Sequence, residues 1–319
     1  MTATRSQPAI TATGVQKSFA GRVVLDGVDL HVPRGTVFSL LGANGAGKTT
    51  TVKILSTLIA PEAGEAQVAG HDLVREPDAV RASIGVTGQF SAVDKLLTGE
   101  ENLRLMADLH HLARGEGRRR ATRLLERFDL VEAAGKAAST YSGGMLRRLD
   151  LAMTLIGNPE VIFLDEPTAG LDPRSRRTMW QIVRELVAGG VTIFLTTQYL
   201  EEADALADRI AVLHGGRVVA EGSAEELKRR IGGGHVRLRF ADRRRLDAAL
   251  GVLGEASPGG DALTLRVPGD GSLRSLRTLI GRLDDRAVEV EELSVHTPDL
   301  DDVFLALTGN STDEKGVTS

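Results

Sequence analysis

The chain has 319 residues, of which 42% are hydrophobic and 26% are charged, and its mean hydropathy is −0.06. These values are typical of a soluble globular protein and exclude a chain dominated by disorder or by membrane-spanning segments. A net charge of −4 and a pI of about 6.0 provide no overall attraction for a polyanion, so no nucleic-acid partner is expected.

The chain contains no cysteine, which excludes disulfides, thiolate metal sites and a cysteine nucleophile. Residues 1–14 lack the apolar core of a secretory signal. No stretch approaches the roughly 18 consecutive apolar residues that span a bilayer. The sequence therefore predicts a cytoplasmic protein that reaches a membrane only through a partner.

From residue 9 to 230, short apolar or β-branched runs alternate with longer helical stretches. The predicted strands include RVVLDGVDL, VFSLL, VIFLDEP, VTIFLTT and RIAVLHGGRVVAEG. Continuous apolar strands between helices predict an α/β domain with a largely parallel sheet that is covered on both faces. Residues of about 90–156 differ, because from position 98 onward their apolar positions recur at helical spacing, and they predict a helical subdomain.

The glycine-rich break IGGGH at 231–235 separates this domain, residues 1–230, from a small accessory domain at 231–309. Beyond the break the pattern predicts the order β-α-β-α-β, hence a small α+β domain. It closes with an amphipathic helix that Asp299 can cap at its start and Gly309 at its end. The polar residues 310–319 predict a disordered tail.

The strongest motif is GANGAGKT at 42–49, which fits the pattern G-x-x-x-x-G-K-[ST] between a predicted strand and a predicted helix. In this motif backbone N–H groups and the helix N-terminus bind phosphate oxygens, the lysine reaches the β- and γ-phosphates, and the hydroxyl ligates Mg²⁺. The predicted phosphate-binding residues are Gly42, Asn44, Gly45, Ala46, Gly47, Lys48, Thr49 and Thr50.

Two further motifs carry polar groups. The apolar strand VIFLDEP ends in Asp165 and Glu166, which would face a nucleotide at the carboxyl end of the sheet. Asp165 is predicted to hold Mg²⁺, and Glu166 to accept a proton from the attacking water. The stretch YSGGM opens a helix with Ser142, Gly143 and Gly144 and predicts a second phosphate-binding helix terminus. The γ-phosphate of one nucleotide needs only one binding site in a chain. The second site is therefore expected to bind the nucleotide held by another copy of the chain.

In the order and content of these motifs, residues 9–230 resemble the ATP-binding cassette (ABC) family, the ATPase subunits of ABC transporters. The resemblance implies a P-loop NTPase fold with a RecA-like α/β core and a helical subdomain, and ATP as the substrate. It also implies roles for Phe19 (stacking on adenine), Gln89 (the Q-loop glutamine) and Asp172 (the D-loop). Thr49, Gln89 and Asp165 are then the expected Mg²⁺ ligands.

More narrowly, TTQYLEEADALADR and the ending HTPDLDDVFLALTG are similar to the daunorubicin-resistance exporter ATPases. That resemblance implies a homodimer that sandwiches two ATP molecules and powers a separate integral-membrane permease. The chain would lie at the cytoplasmic face of the membrane and drive efflux of an antibiotic or another amphiphilic compound. The alternatives are a soluble ABC ATPase and a weakly hydrolysing, nucleotide-dependent regulator.

Gln198 is the residue that keeps the alternative of a weakly hydrolysing regulator open. Most members of the ABC family have a histidine at the end of this strand, which contacts the γ-phosphate and positions the water. A glutamine amide can donate one hydrogen bond and accept another, but it cannot carry a positive charge. Gln198 is predicted to contact the γ-phosphate while Glu166 remains the base and Lys48 the phosphate-binding cation; hydrolysis would be slow but real.

Overall fold

The computed structural model describes residues 7–88, 92–231, 234–254, 256–258, 262–269, 272–296 and 298–309. Gln89 and the predicted tail at 310–319 lie outside these residues. The chain divides into two compact units, Met1–Ala224 and Glu225–Ser319. The division precedes the glycine-rich break because the helix before that break belongs to the second unit.

The first unit contains ten strands and seven α-helices among its described residues. The strands are β1 (Ile10–Phe19), β2 (Arg22–Val32), β3 (Val37–Leu41), β4 (Ala63–Val68), β5 (His71–Asp72), β6 (Ile84–Thr87), β7 (Val161–Asp165), β8 (Thr192–Thr197), β9 (Arg209–His214) and β10 (Arg217–Gly222). The helices are α1 (Lys48–Leu55), α2 (Pro77–Ser83), α3 (Gly99–Leu109), α4 (Arg114–Arg127), α5 (Gly143–Thr154), α6 (Pro173–Ala188) and α7 (Leu200–Leu206).

The central sheet has the strand order β10-β9-β3-β8-β7-β6, and all of its pairings are parallel except that of β10 with β9. Every residue of β3, β7 and β8 is buried, because one face of these strands packs against α5 and α6 and the other against α1 and the strands β1, β2 and β4. Phe38, Phe163 and Phe194 pack against one another, with ring centroids 5.6 Å apart in each neighbouring pair. The predicted α/β fold with a largely parallel sheet is confirmed.

A second, antiparallel sheet has the order β2-β1-β4-β5. The predicted helical region holds α3, α4 and α5, which share one hydrophobic core with α6. Thr98 begins α3 with a capping box, in which its hydroxyl accepts from the backbone N–H of Glu101 and the Glu101 carboxylate accepts from that of Thr98. This core holds α5 close to the carboxyl ends of the central strands.

The second unit begins one residue into α8 (Ala224–Ile231). Its other elements are β11 (His235–Arg239), α9 (Arg243–Val252), β12 (Ser257–Pro258), β13 (Thr264–Pro268), α10 (Leu273–Asp284), β14 (Glu292–His296) and α11 (Leu300–Thr308). Its sheet is antiparallel, in the order β12-β13-β11-β14. The two-residue strand β12 is an addition to the predicted order. Asp299 caps α11 in a capping box with Asp302, as its position before an apolar helix suggests. Across the described residues of both units, no helix is long and apolar enough to cross a bilayer.

Candidate functional site

The loops that follow β3, β7 and β8 meet at one edge of the central sheet, because neighbouring parallel strands end on the same side. They enclose a cleft of about 900 Å³. Of the residues predicted from sequence, the cleft is lined by Asn44, Gly45, Ala46, Gly47, Lys48, Thr49, Thr50, Glu166 and Gln198. Thr50 and Glu166, which are 116 positions apart in the chain, thus lie in one cleft with Gln198, since β8 lies between β3 and β7.

The turn from β3 into α1 leaves no space for a side chain at two of its glycines, Gly42 and Gly47. Gly47 has φ +111°, and a Cβ there would lie 2.6 Å from a methyl carbon of Leu25. A Cβ on Gly42 would lie 2.6 Å from the carbonyl oxygen of Leu213. Glycine at both positions lets the backbone approach its neighbours and wrap the helix N-terminus, as phosphate binding requires. The loop therefore fits the phosphate chain of a nucleotide.

Lys48 is the first residue of α1, and only 5% of its side chain is exposed. Its ammonium group donates to the carbonyl oxygens of Gly42 at 2.8 Å and Ala43 at 3.2 Å. It also lies 3.4 Å from a carboxylate oxygen of Glu166. A buried ammonium ion held over the loop and beside a carboxylate provides a fixed positive charge for phosphate oxygens.

Asp165 ends β7 with its carboxylate among hydroxyl groups. The Thr49 hydroxyl donates to one oxygen at 2.9 Å, and the Thr196 hydroxyl donates to the other at 2.5 Å. Hydroxyl and carboxylate oxygens are hard ligands of the kind that Mg²⁺ prefers. Thr49 and Asp165 therefore fit a Mg²⁺ ion that also binds nucleotide phosphates, and Thr196 keeps the carboxylate in place.

Glu166 follows Asp165 in a left-handed backbone conformation, with φ +49°. This conformation is unfavourable for a residue with a side chain and is retained where surrounding contacts impose it. The Glu166 N–H donates to the carbonyl oxygen of Thr196 at 3.1 Å, which fastens the turn to β8. The carboxylate consequently lies in the cleft opposite Lys48.

Two sets of cleft residues carry no motif that reveals them. Arg22, Val23 and Val24 begin β2. His214 ends β9, and Gly215 and Gly216 form the turn to β10. The Asp26 N–H donates to the carbonyl oxygen of Gly216 at 2.9 Å, so the two segments contact each other. Two glycines after a strand indicate a turn, but the sequence contains no signal for pairing over this separation.

Other predicted site residues lie outside the cleft lining. Phe19 is 47% exposed at the end of β1, where it is the strand partner of Arg22. Ser142 caps α5, where its hydroxyl accepts from the N–H of Met145 at 3.3 Å. Ser142 and Gly143 are exposed, and Asp172 caps α6. The chain therefore does not bring its second glycine motif to its own phosphate loop.

The Asp172 carboxylate accepts hydrogen bonds from the hydroxyl of Ser175 at 2.6 Å and from the N–H groups of Ser175 and Arg174, each at 3.0 Å. These bonds hold the pKa of Asp172 below its ordinary value. Asp172 is thus ionised. Ser175, to which it is bonded, lies beside Gly144, because a Cβ on Gly144 would lie 2.5 Å from the Ser175 hydroxyl.

Comparison with known proteins agrees with this geometry. Residues 25–169 match the ABC transporter family. The chain is 50% identical over 304 residues to daunorubicin resistance ATP-binding protein DrrA3 of Streptomyces coeruleorubidus, covering 95% of this chain and 96% of that protein. The chain belongs to the ABC transporter ATP-binding subunits of the daunorubicin-resistance type. The resemblance predicted from its motifs is confirmed.

A second relative, the daunorubicin/doxorubicin resistance ATP-binding protein DrrA of Streptomyces peucetius, is 47% identical over 319 residues, with 98% of this chain and 96% of that protein covered. Among solved structures, an ATP-binding subunit of an ABC transporter superposes with a TM-score of 0.63 at 30% identity, covering 70% of this chain and 93% of its own. This ABC subunit therefore has the cassette fold, binds ATP and is an ATPase. Subunits of its family work with membrane permeases.

Proposed function

We propose that this ABC subunit hydrolyses MgATP to power a separate membrane permease that exports an amphiphilic, daunorubicin-like antibiotic. The observation that carries the proposal is the cleft in which Lys48, Glu166 and Gln198 meet beside Asp165 and Thr49. The names of relatives that match almost the whole chain support the cargo class. The expected location is the cytoplasmic face of the membrane, where the permease would hold the chain.

The geometry supports distinct roles for the cleft residues. Lys48 and the loop of 42–47 would bind the β- and γ-phosphates, and Thr49 with Asp165 would hold Mg²⁺. Mg²⁺, when bound, neutralises charge on the phosphate oxygens. Glu166 would accept a proton from water as the water oxygen bonds to the γ-phosphorus and the bond to the ADP oxygen breaks. Gln198 would hydrogen-bond the γ-phosphate.

The exposed position of Ser142 and Gly143 supports a homodimer. Their helix terminus would bind the γ-phosphate of ATP held by the partner's phosphate loop, so that two copies enclose two nucleotides. Asp172 lies beside this terminus and would contact the partner across the same interface. Phe19 would stack on adenine, and Gln89 would join the Mg²⁺ site. Residues 1–230 would then form the domain that binds and hydrolyses ATP, and residues 231–309 would form an accessory domain.

Gln198 is the observation that favours the second candidate, a regulator that binds ATP and scarcely hydrolyses it. The glutamine lines the cleft where a histidine is usual for the family, and it cannot become a cation. A soluble ABC ATPase without a permease has no comparable support in the cleft. The two candidates differ in turnover, so a rate measurement separates them.

The experiment is steady-state MgATP hydrolysis by the wild-type chain, Glu166→Gln and Gln198→His, with Gln181→His as the control. Gln181 is exposed on α6, where its amide donates to Glu185, and it is not among the residues that line the cleft, so the control introduces the same side chain outside it. We expect turnover by the wild type, none by Glu166→Gln, and a changed rate with a titration near pH 6.5, the ordinary histidine value, only in Gln198→His.

Equal inertness of all variants, alone and with membranes containing the co-expressed permease, would favour the regulator. Membrane vesicles then test the cargo: with the permease present, daunorubicin should accumulate in inverted vesicles upon MgATP addition, and Glu166→Gln should abolish the accumulation. Hydrolysis without any accumulation would leave the ATPase assignment standing and remove the anthracycline-like cargo.

A further inference from the structure

Arg147 is a buried arginine of α5 whose contacts lie on the turn that carries Glu166. Only 12% of its side chain is exposed. Its guanidinium donates to the carbonyl oxygens of Pro167 at 2.9 Å, Asp165 at 3.1 Å and Glu166 at 3.3 Å. Three consecutive carbonyl groups of one turn therefore accept from a single side chain. Sequence analysis did not identify Arg147, because two adjacent arginines in a helix are typical of an exposed face.

The same guanidinium reaches a second segment. It donates to the carbonyl oxygen of Gly88 at 3.0 Å and to the carboxylate of Asp150 at 3.4 Å. The other oxygen of Asp150 accepts from the N–H of Ala92 at 3.0 Å. Arg147 and Asp150, one turn apart on α5, thus hold the residues on either side of 89–91 as well as the Glu166 turn.

The chemistry of the contacts requires arginine. Burial lowers the pKa of the Arg147 guanidinium, and the carboxylates of Asp150, Asp165 and Glu202 oppose that change. A guanidinium stays protonated in proteins and presents five N–H donors in a rigid plane. A plane that bonds four carbonyl groups fixes their relative positions, whereas a lysine ammonium offers a single point of attachment.

The position of Arg147 along α5 adds a connection between two parts of the molecule. Ser142 caps this helix, and Arg147 lies just over one turn inside it. A helix is stiff over such a distance, so displacement of its N-terminus moves the guanidinium and the carbonyl groups bound to it. Glu166 is sensitive to such displacement, since its left-handed backbone is maintained by contacts of this kind.

We propose that Arg147 is a positioning residue for ATP hydrolysis, which holds the Glu166 turn in its catalytic geometry and links that geometry to the exposed N-terminus of α5. The inference rests on the proposed role of Glu166. Because α5 begins with the residues proposed to bind the partner's nucleotide, occupation of one ATP site would act through Arg147 on the glutamate of the other.

The test compares Arg147→Lys and Arg147→Gln with Arg148→Gln. Arg148 is the matched control, because its guanidinium also donates to backbone carbonyl groups, those of Phe128 at 2.8 Å and Asp129 at 3.2 Å, far from Glu166. Hydrolysis is followed in steady state and in a single turnover, and binding is followed with a fluorescent ATP analogue. The folded state is checked by thermal unfolding of each variant.

For both Arg147 variants we expect kcat to fall on the order of 100-fold, the effect of displacing a catalytic group by about 1 Å, while KM and nucleotide affinity stay within about twofold. Arg148→Gln should keep its kcat even where its thermal stability falls. In single-turnover measurements, which resolve the slow residual reaction of Glu166→Gln, adding Arg147→Gln should not lower that residual rate further, because its effect passes through the Glu166 carboxylate.

Three results would overturn the inference. They are a kcat of the folded Arg147→Lys protein within about twofold of wild type, an equal loss of kcat in Arg148→Gln, and a further loss from Arg147→Gln beside Glu166→Gln. The first would leave Arg147 as a structural residue only. If Glu166→Gln itself hydrolyses ATP normally, the failure lies in the proposed function, so the two failures are distinguishable.

Discussion

Thr196 links Asp165 and Glu166 to the neighbouring strand, and its replacement by valine tests whether that link holds the site together. The Thr196 side chain is fully buried, and its hydroxyl donates to the Asp165 carboxylate at 2.5 Å. The hydroxyl oxygen also accepts from the Glu166 N–H at 3.3 Å. Valine has nearly the same shape, so Thr196→Val removes hydrogen bonds with little change in packing.

The expected loss follows from which groups are left without a partner. The Glu166 N–H keeps the Thr196 carbonyl oxygen at 3.1 Å, so it stays bonded. The Asp165 carboxylate keeps one hydrogen bond, from the Thr49 hydroxyl, and loses the other. A hydrogen bond to a buried charged group contributes about 1.5–3 kcal/mol. We expect the free energy of unfolding to fall by about 2 kcal/mol, close to a 30-fold change in the folded-to-unfolded ratio.

The assay is urea unfolding followed by the fluorescence of Trp180. Since Trp180 is the single tryptophan of the chain and lies buried in the first unit, its signal reports that unit. Ser39→Ala is the control. The Ser39 hydroxyl is buried in the adjacent strand β3 and has no hydrogen-bond partner among the residues described by the structure, so its removal should cost less than about 0.5 kcal/mol.

A loss below about 0.5 kcal/mol for Thr196→Val would refute the reasoning, because the buried carboxylate would then not depend on this hydroxyl. An equal loss for Ser39→Ala would refute it as well. In that case the effect would come from replacing any buried hydroxyl in this sheet and not from the bond to Asp165.

Burial raises the pKa of Glu202 above its ordinary value of 4.5. The folded protein therefore binds a proton at Glu202 more tightly than the unfolded chain does, and the free energy of unfolding falls as pH rises through the raised pKa. Urea titrations at several pH values should therefore show Glu202→Gln gaining stability relative to wild type as pH increases from about 4.5. A stability difference between the two proteins that does not change with pH would contradict this prediction. Gly47→Ala should cost roughly 1–3 kcal/mol and abolish binding of a fluorescent ATP analogue. Gly45→Ala has the same kind of backbone strain, with φ +79°, but its Cβ meets no atom within 4 Å, so its effects should be milder. Equal effects of the two substitutions would refute the steric argument. Tyr141→Phe removes the hydroxyl that donates to the Ala133 carbonyl oxygen at 2.6 Å. It should lower the free energy of unfolding by about 1 kcal/mol, as measured by thermal unfolding, and no loss of stability would contradict this prediction.

The short-range features of this protein were predictable from local sequence. VFSLL and VIFLDEP are continuous apolar runs, and only strands covered on both faces bury every residue in this way. GANGAGKT predicted a glycine-rich turn between a strand and a helix, and the structure has this turn between β3 and α1. Asp299 before an apolar helix indicated the cap of α11 for the same local reason.

The sequence by itself thus determined the fold class, the glycine-rich turn before α1 and the presence of carboxylates and Gln198 at strand ends. Only the tertiary structure decided which ends are neighbours, since strand order depends on packing between distant segments. It joined Thr196 to Asp165, brought Gly216 to Asp26, left Phe19 outside the cleft lining and directed Arg147 inward. These arrangements depend on packing between segments that are distant in the chain, which local residue patterns do not encode.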